Sequence, residues 1–256
     1  MKVLVFVALI ALAASLRTVG DPDMIREITQ STDLWTAGTT KFTGMSVYEI
    51  QRFYLGTMLN GNPNTERVTH EAILELMTVP DSFDARTQWP KCIHPVRNQA
   101  QCGSCWAFGA SEALSDRFCI GSSSKVNVVL SPQDLVSCDP NDFGCEGGYL
   151  EKAWEYMSGT GIVTDECYPY TAGGGTQGKC KSKCKKSKQT FTKYKANTAK
   201  AFDTPKAIQA EILLNGPIET GFDVYEDFMS YTGGIYEHKT GGLLGGHAVK
   251  IVGWGK

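Results

Sequence analysis

Nine cysteines, all lying between Cys92 and Cys184, constrain this 256-residue chain more than any other feature. An odd number cannot pair completely within one molecule, so at least one thiol stays free while the others can cross-link several loops. That density is foreign to a typical cytosolic domain and points to an oxidising compartment. The N-terminus agrees. Met1-Lys2 leads into an apolar run from Val3 to Ala14, with the small residues Ala11, Ala13 and Ser15 before Arg17. This is the layout of a secretory signal over 1–16 that is later removed. A membrane anchor is the weaker reading, because spanning a bilayer takes about 20 apolar residues. With 25 Lys+Arg against 27 Asp+Glu and 42% hydrophobic residues, the chain has neither a nucleic-acid footprint nor a cationic membrane surface. It has enough apolar content for a substantial core. It carries no Asn-x-Ser/Thr sequon for N-glycosylation.

Residues 17–79 contain no cysteine and read as a separate, removable segment that packs on the larger body rather than folding alone. Within it Ser46-Val47-Tyr48-Glu49 forms a capping box, after which Val47, Ile50, Tyr54 and Met58 line one helical face. Asn60-Gly61-Asn62-Pro63 ends that helix. Ser131-Pro132 and Thr204-Pro205 each supply an N-cap and an N1 proline, the second helix stopping at Asn215-Gly216. From Ile218 onward glycines, aromatics and β-branched residues dominate, and a strand begins at His247 and carries Val249, Ile251 and Trp254. Helices precede strands, so the fold class is α+β.

The chemistry concentrates in Asn98-Gln99-Ala100-Gln101-Cys102-Gly103-Ser104-Cys105-Trp106. The following half, Gly109 to Cys119, reads as a helix wrapped by core, which puts Cys105 in its first turn. A helix N-terminus favours negative charge and therefore the thiolate, the nucleophilic form. A thiolate acting on a carbonyl also needs a proton donor for the leaving group, usually histidine. Of the four histidines, His70 lies in the removable segment, His94 adjoins Cys92 at the surface and His238 sits in a polar loop. His247 follows Gly245-Gly246 at the start of an apolar strand and is open to both a functional and a core-structural reading. Two other uses of cysteine are weaker. Cys102 and Cys105 have redox C-x-x-C spacing but no surrounding βαβ pattern, and Cys180 and Cys184 lack a second zinc-ligand pair. The lysines at 179, 181, 183, 185, 186 and 188 keep a surface loop solvated.

Cys102-Gly103-Ser104-Cys105-Trp106 is similar to the signature of papain-like cysteine peptidases, in which a histidine follows about 130–150 residues later. The resemblance continues through Ser131-Pro132-Gln133-Asp134-Leu135, Gly144-Cys145-Glu146-Gly147-Gly148-Tyr149, Asn215-Gly216-Pro217 and Gly245-Gly246-His247-Ala248. Ser82-Phe83-Asp84-Ala85-Arg86, Trp89-Pro90 and Ser115-Asp116-Arg117 resemble the cathepsin B branch in particular, and Trp35-Thr36-Ala37-Gly38 its short inhibitory propeptide. The resemblance implies a papain-like two-domain fold over 80–256, with a helical left domain, a β-rich right domain and an N-terminal propeptide over 17–79. It implies that Cys105 is the nucleophile, His247 its base and acid, and Gln99 an oxyanion donor beside the Cys105 N–H. Gly103, Gly147 and Gly148 would bind extended substrate backbone, with Ala248 lining the adjacent subsite. Read without the family, Gly147-Gly148 is a simple turn.

The same resemblance implies the pairs Cys92–Cys119, Cys102–Cys145, Cys138–Cys180 and Cys167–Cys184, leaving Cys105 free. It implies no metal and no cofactor, a monomer, protein or peptide substrates, and a lysosome- or vacuole-like compartment or the cell exterior. The Asn that orients the histidine in such enzymes, with the Ser-Trp after it, falls beyond Lys256, so the right domain is expected to be incomplete. A catalytically inactive peptide- or peptidase-binding protein is the alternative. Residues 168–178, where cathepsin B carries a histidine-bearing occluding loop, are short and lack histidine. Cleavage of internal peptide bonds is therefore expected. Acid would release the propeptide through carboxylates such as Glu49, Glu71 and Glu75, with processing near Val79-Pro80.

Overall fold

A computed structural model describes residues 17–60, 65–69 and 78–255. The expected signal over 1–16, His70, Glu71, Glu75 and most of the Asn60–Pro63 helix stop lie outside the described residues. In chain order come α1 (Pro22–Ser31), β1 (Trp35–Ala37), α2 (Val47–Phe53), β2 (Glu66–Arg67), β3 (Phe83–Asp84) and α3 (Ala85–Gln88). The body continues with α4 (Cys105–Gly121), α5 (Pro132–Cys138), α6 (Leu150–Gly159), β4 (Lys200–Ala201), α7 (Pro205–Asn215), β5 (Ile218–Tyr225), β6 (Tyr231–Gly234), β7 (Leu243–Ile251) and β8 (Gly253–Trp254). The long helices thus precede the long antiparallel pair β5–β7, as an α+β chain requires. No described helix is long and apolar enough to cross a membrane.

The helix starts follow their caps. Ser131 Oγ accepts the Asp134 N–H and Thr204 Oγ1 the Ala207 N–H, and α7 ends where Gly216 takes φ 94°. Thirteen of the seventeen residues of α4 are buried, because most are apolar or small and its buried acids are paired, Glu112 by Arg97 and Asp116 by Lys250 and His94. Trp106, Leu114, Leu130, Leu135, Met157 and Ile162 pack with it into the main core. Four disulfides, Cys92–Cys119, Cys102–Cys145, Cys138–Cys180 and Cys167–Cys184, pin the loops around this core. Their separations of 17 to 43 residues correspond to roughly 3–4 kcal/mol each in the chain-entropy picture.

Three expectations need correction. The helix opened by the Ser46 capping box stops at Phe53, with Tyr54 as its C-cap, so Met58 is not on its face. Residues 55–58 are instead drawn out as an extended strand by backbone pairing with Gly148 and Gly246. The strand expected to open at His247 begins four residues earlier, at Leu243, and His247 sits in mid-ladder opposite Phe222. Pairing with β5 carries Gly245 and Gly246 into the ladder despite their low strand propensity. His94 is not a free surface residue: its Nδ1 lies 2.7 Å from Asp116 Oδ1 and its Nε2 2.8 Å from Asn127. The hydrogen bond to Asp116 raises its pKa against the opposing cost of burial.

Residues 17–69 are stitched onto the body along their whole described length. β1 pairs antiparallel with β6, and β2 pairs parallel with β4. Val19, Val47, Ile50 and Leu55 share a core with Val224, Met229 and Leu244 of the body. Arg17 pairs with Glu226 at 2.5 Å, and Arg52 pairs with Glu146. Trp35 is the main anchor. It is 3% exposed, its ring lies 5.2 Å from that of Tyr236, and its Nε1 donates to the Glu237 carbonyl at 3.0 Å. Burying 150–250 Å² of tryptophan stabilises by roughly 4–6 kcal/mol before ordering costs, against about 1 kcal/mol net for a single hydrogen bond.

Candidate active site

Cys105 is the first residue of α4 and the only free cysteine, and it is buried. The Ser104–Cys105 corner is held from below. Gly103 N–H donates to the Cys145 carbonyl at 3.0 Å, the Cys102–Cys145 bridge crosses at the same level, and Trp106 Nε1 donates to the Gly144 carbonyl at 3.1 Å. These contacts tie the Cys105 turn to the loop that carries Gly147 and Gly148. From the other side, α4 packs on β7, and the backbone N–H groups of Trp106 and Ala248 hydrogen-bond the Cys105 sulfur. His247, the residue before Ala248, is thereby brought beside Cys105. Its ring stands edge-on to Phe222 at a centroid distance of 5.9 Å.

Residues 54–58 run through the cleft between these two sides. Gly148 N–H donates to the Gly56 carbonyl at 2.8 Å and Met58 N–H to the Gly148 carbonyl at 2.9 Å. Gly56 and Thr57 both donate to the Gly246 carbonyl at 3.1 Å. Gln99 Nε2 donates to the Tyr54 carbonyl at 3.2 Å and to the Cys102 carbonyl at 3.0 Å. Thr57 Oγ1 lies 3.2 Å from Cys105 Sγ, so the thiol meets a hydroxyl. The crossing is so close that a Cβ on Gly56 would sit 2.0 Å from the Gly103 carbonyl oxygen. Leu59 packs over Gly221 and Gly246.

The electrostatics are those of a resting site. Contrary to the low thiol pKa expected at a helix start, the Cys105 pKa is raised, first by burial and further by the nearby Glu219, and the Thr57 and backbone hydrogen bonds only partly oppose this. Burial beneath the crossing segment outweighs the helix N-terminus. His247 is lowered by burial, countered in part by the Tyr54 backbone, and its Nδ1 has no hydrogen-bond partner among the described residues. Burial thus favours the neutral form of both the thiol and the imidazole. Glu219, whose Oε2 accepts from Trp154 Nε1 at 2.8 Å while Oε1 is sealed with no hydrogen-bond partner among the described residues, has its pKa raised well above its ordinary value by burial. Burial beneath α4 thus disfavours its charged form.

Every sequence-derived site residue thus lies around one cleft: Cys105, His247, Gln99, Gly103, Gly147, Gly148 and Ala248. The residues that escaped sequence reading are Gly56 and Thr57, whose short run after a capped helix carries no signal beyond a helix stop, and the buried acids Asp139, Asp142 and Glu219. No group of three or more histidine, cysteine or acidic side chains among the described residues could hold a metal ion.

The chain is similar to known proteins in sequence and in fold. Residues 79–256 match the family described as papain family cysteine protease. Cathepsin B-like cysteine proteinase 4 of Caenorhabditis elegans is 39% identical over an alignment taking in 100% of this chain and 86% of that protein. Cathepsin B-like CP3 of Giardia intestinalis is 37% identical, covering 98% and 84%. Among solved structures, procathepsin B S9 from Trypanosoma congolense superposes with a TM-score of 0.86 at 28% identity, over 93% of this chain and 84% of that one. The match to a proform takes in the segment before residue 79 as well as the body. A free cysteine opening a buried helix, a histidine beside it and a family match over well over half of the sequence lead to one conclusion: the chain belongs to the papain family of cysteine proteases, whose chemistry is thiol-dependent proteolysis.

Proposed function

We propose that the chain is the self-inhibited precursor of a cathepsin B-like endopeptidase, with 17–79 as inhibitory propeptide and 80–256 as peptidase domain. The observation that carries this reading is the Thr57 hydroxyl 3.2 Å from Cys105 Sγ, at the centre of a segment that fills the cleft backbone to backbone. Once the segment leaves, water reaches Cys105 and His247, and the burial that holds both neutral is relieved. His247 then takes the thiol proton, and the thiolate adds to the carbonyl carbon of a peptide bond. The oxyanion is held by Gln99 Nε2 and the Cys105 N–H, where one donor is worth about 2.7–4 kcal/mol. Collapse breaks the C–N bond as His247 returns the proton to the leaving amine, and water then hydrolyses the thioester with His247 as base. Gly103, Gly147, Gly148 and Ala248 hold the extended substrate, as Gly148 now holds residues 56–58. The disulfides suit a secretory route to a lysosome-like compartment or the cell exterior.

Residues 168–178 support cleavage of internal bonds. They fold back on the body, with the Thr171 and Ala172 N–H groups donating to Gln133 Oε1 at 2.6 and 2.9 Å and the Gln177 carbonyl accepting from Gln133 Nε2. Internally quenched peptides with free and with amidated C-termini test this. Equal turnover of both is expected, and stepwise dipeptide release restricted to the free terminus would contradict it.

Acid release has a visible element in α2. Hydrogen bonds from the Ser46 backbone and hydroxyl lower the Glu49 pKa. A lowered carboxylate supports the cap at all pH values above its ordinary range and withdraws that support as pH falls through the lowered value. Glu49→Gln keeps a capping-box residue that does not titrate. The variant should stay silent at neutral pH and need stronger acid than the parent before Cys105 becomes alkylated. An unchanged acid threshold would remove Glu49 from the release step.

A further inference from the structure

Behind the Gly147-Gly148 edge two aspartates face each other. Asp139 and Asp142 are only 7% and 9% exposed. Asp139 Oδ1 accepts the Asn141 N–H at 2.9 Å and Asp142 Oδ1 the Tyr149 N–H at 2.7 Å. Each Oδ2 is sealed from solvent and receives no N–H or hydroxyl from the described residues. Their remaining partner is each other, through a side-chain hydrogen bond between the two carboxyls. Two carboxyl groups can hydrogen-bond only if a proton lies between them. Asp142 is packed directly against the back of the edge: a Cβ on Gly148 would meet Asp142 Cγ at 2.9 Å and the Trp106 ring at 2.6 Å. Its bond to the Tyr149 N–H, with Phe143 N–H donating to the Gly147 carbonyl at 3.0 Å, closes the turn that presents Gly148.

We infer that Asp142, by sharing a proton with Asp139, is a positioning residue for the backbone edge that grips extended substrate, and that loss of this proton loosens the edge and weakens substrate binding. The inference rests on the proposed role of Gly147 and Gly148 in binding substrate. The surrounding charges offer no substitute for the proton. The cation that acts on the pair from α6 is Lys152, and its Nζ is already held by Glu155 at 2.9 Å. Glu155 and Tyr156 of α6 and Glu219 of β5 add negative or neutral surroundings. Burial, then repulsion from Asp139, pushes Asp142 up to about 7. A raised carboxyl contributes stability that is full below the ordinary carboxylate range and is lost as pH rises through the raised value. The edge is therefore firm in acid and slack above neutrality.

The test uses the full chain after acid maturation, with active sites counted by titration of Cys105, and measures KM and kcat separately on a quenched peptide between about pH 5 and about pH 8. In the parent enzyme KM should rise across neutrality while the thiol–imidazole pair governs kcat. Asp142→Asn supplies an amide that always donates to Asp139 and still accepts from Tyr149. Its KM should stay flat, lying about tenfold below the parent value at the alkaline end, the size of a one-unit linkage. Asp142→Ala should raise KM at every pH. Should Asp142→Asn fail to fold, Asp139→Asn, which removes the opposing charge, should give the same flat KM. If KM of Asp142→Asn or Asp139→Asn rises with pH as the parent's does, the shared proton is refuted. If Asp142→Ala leaves KM unchanged at all pH values, the substrate role of the Gly147-Gly148 edge fails as well.

Discussion

Replacing Cys105 by alanine is expected to remove peptide hydrolysis while leaving the precursor folded. The side chain is 1% exposed and its partners are one hydroxyl and two backbone groups, so the change costs a sulfur-sized void. No buried charge is stranded. Catalysis has no other route, because the remaining eight cysteines are locked in four bridges. Removing the nucleophile of a comparable catalytic unit lowers kcat by about 2 × 10⁶, and a loss of that order is expected here. The complementary measurement is mapping of an iodoacetamide adduct on the acid-matured parent, which should carry one label, at Cys105. A label mainly on Cys102 or another cysteine, or substantial hydrolysis by Cys105→Ala, would overturn the assignment.

The second large effect concerns silence rather than catalysis. Gly56→Ala places a methyl 2.0 Å from the Gly103 carbonyl oxygen and 2.5 Å from its carbon, both backbone atoms of the turn that the Cys102–Cys145 bridge holds. Neither can yield without moving Cys105, so the crossing segment must lift away. Overpacking of a rigid site costs typically 1–3 kcal/mol. At the upper end that is roughly a 150-fold larger open fraction. The precursor should then alkylate at Cys105 at neutral pH far faster than the parent, while far-ultraviolet circular dichroism stays unchanged because the Trp35 anchor and the body are untouched. A precursor as inert as the parent would mean that residues 54–58 do not gate the thiol.

The helix starts were legible because their signals are local: Ser46, Ser131 and Thr204 cap helices through side chains three residues from the N–H they accept. The place of Cys105 at a helix start could be read from the small and apolar run after it. The partners of the eight bridged cysteines could not be derived from their spacing, and only the family resemblance indicated them. Nor could the end of α2, since Leu55 to Met58 have no intrinsic reason to leave the helix and are drawn out by Gly148 and Gly246, about 90 and 190 residues away in the chain. The thiol's raised pKa was misread for the same reason. A helix N-terminus is visible in sequence, whereas the lid over it is a tertiary fact. The Asp139–Asp142 pair escaped because two aspartates flanking Pro140 and Asn141 look like an ordinary solvated turn.

The placement of the bridges sorts the molecule's sulfur by accessibility to small reductants. Cys102 and Cys145, next to Cys105, are 1% and 5% exposed, and Cys92 and Cys119 are 4% and 0% exposed, whereas Cys180 lies open on the lysine-rich loop. Thiol–disulfide exchange needs direct approach to a sulfur. A mild reductant therefore opens Cys138–Cys180 first and slackens a peripheral loop. The bridge beneath Cys105 survives conditions that strip a sulfenic acid or mixed disulfide from Cys105 itself once the cleft is clear. The protein can in this way be kept chemically awake by the same reagents that would dismantle a more exposed framework.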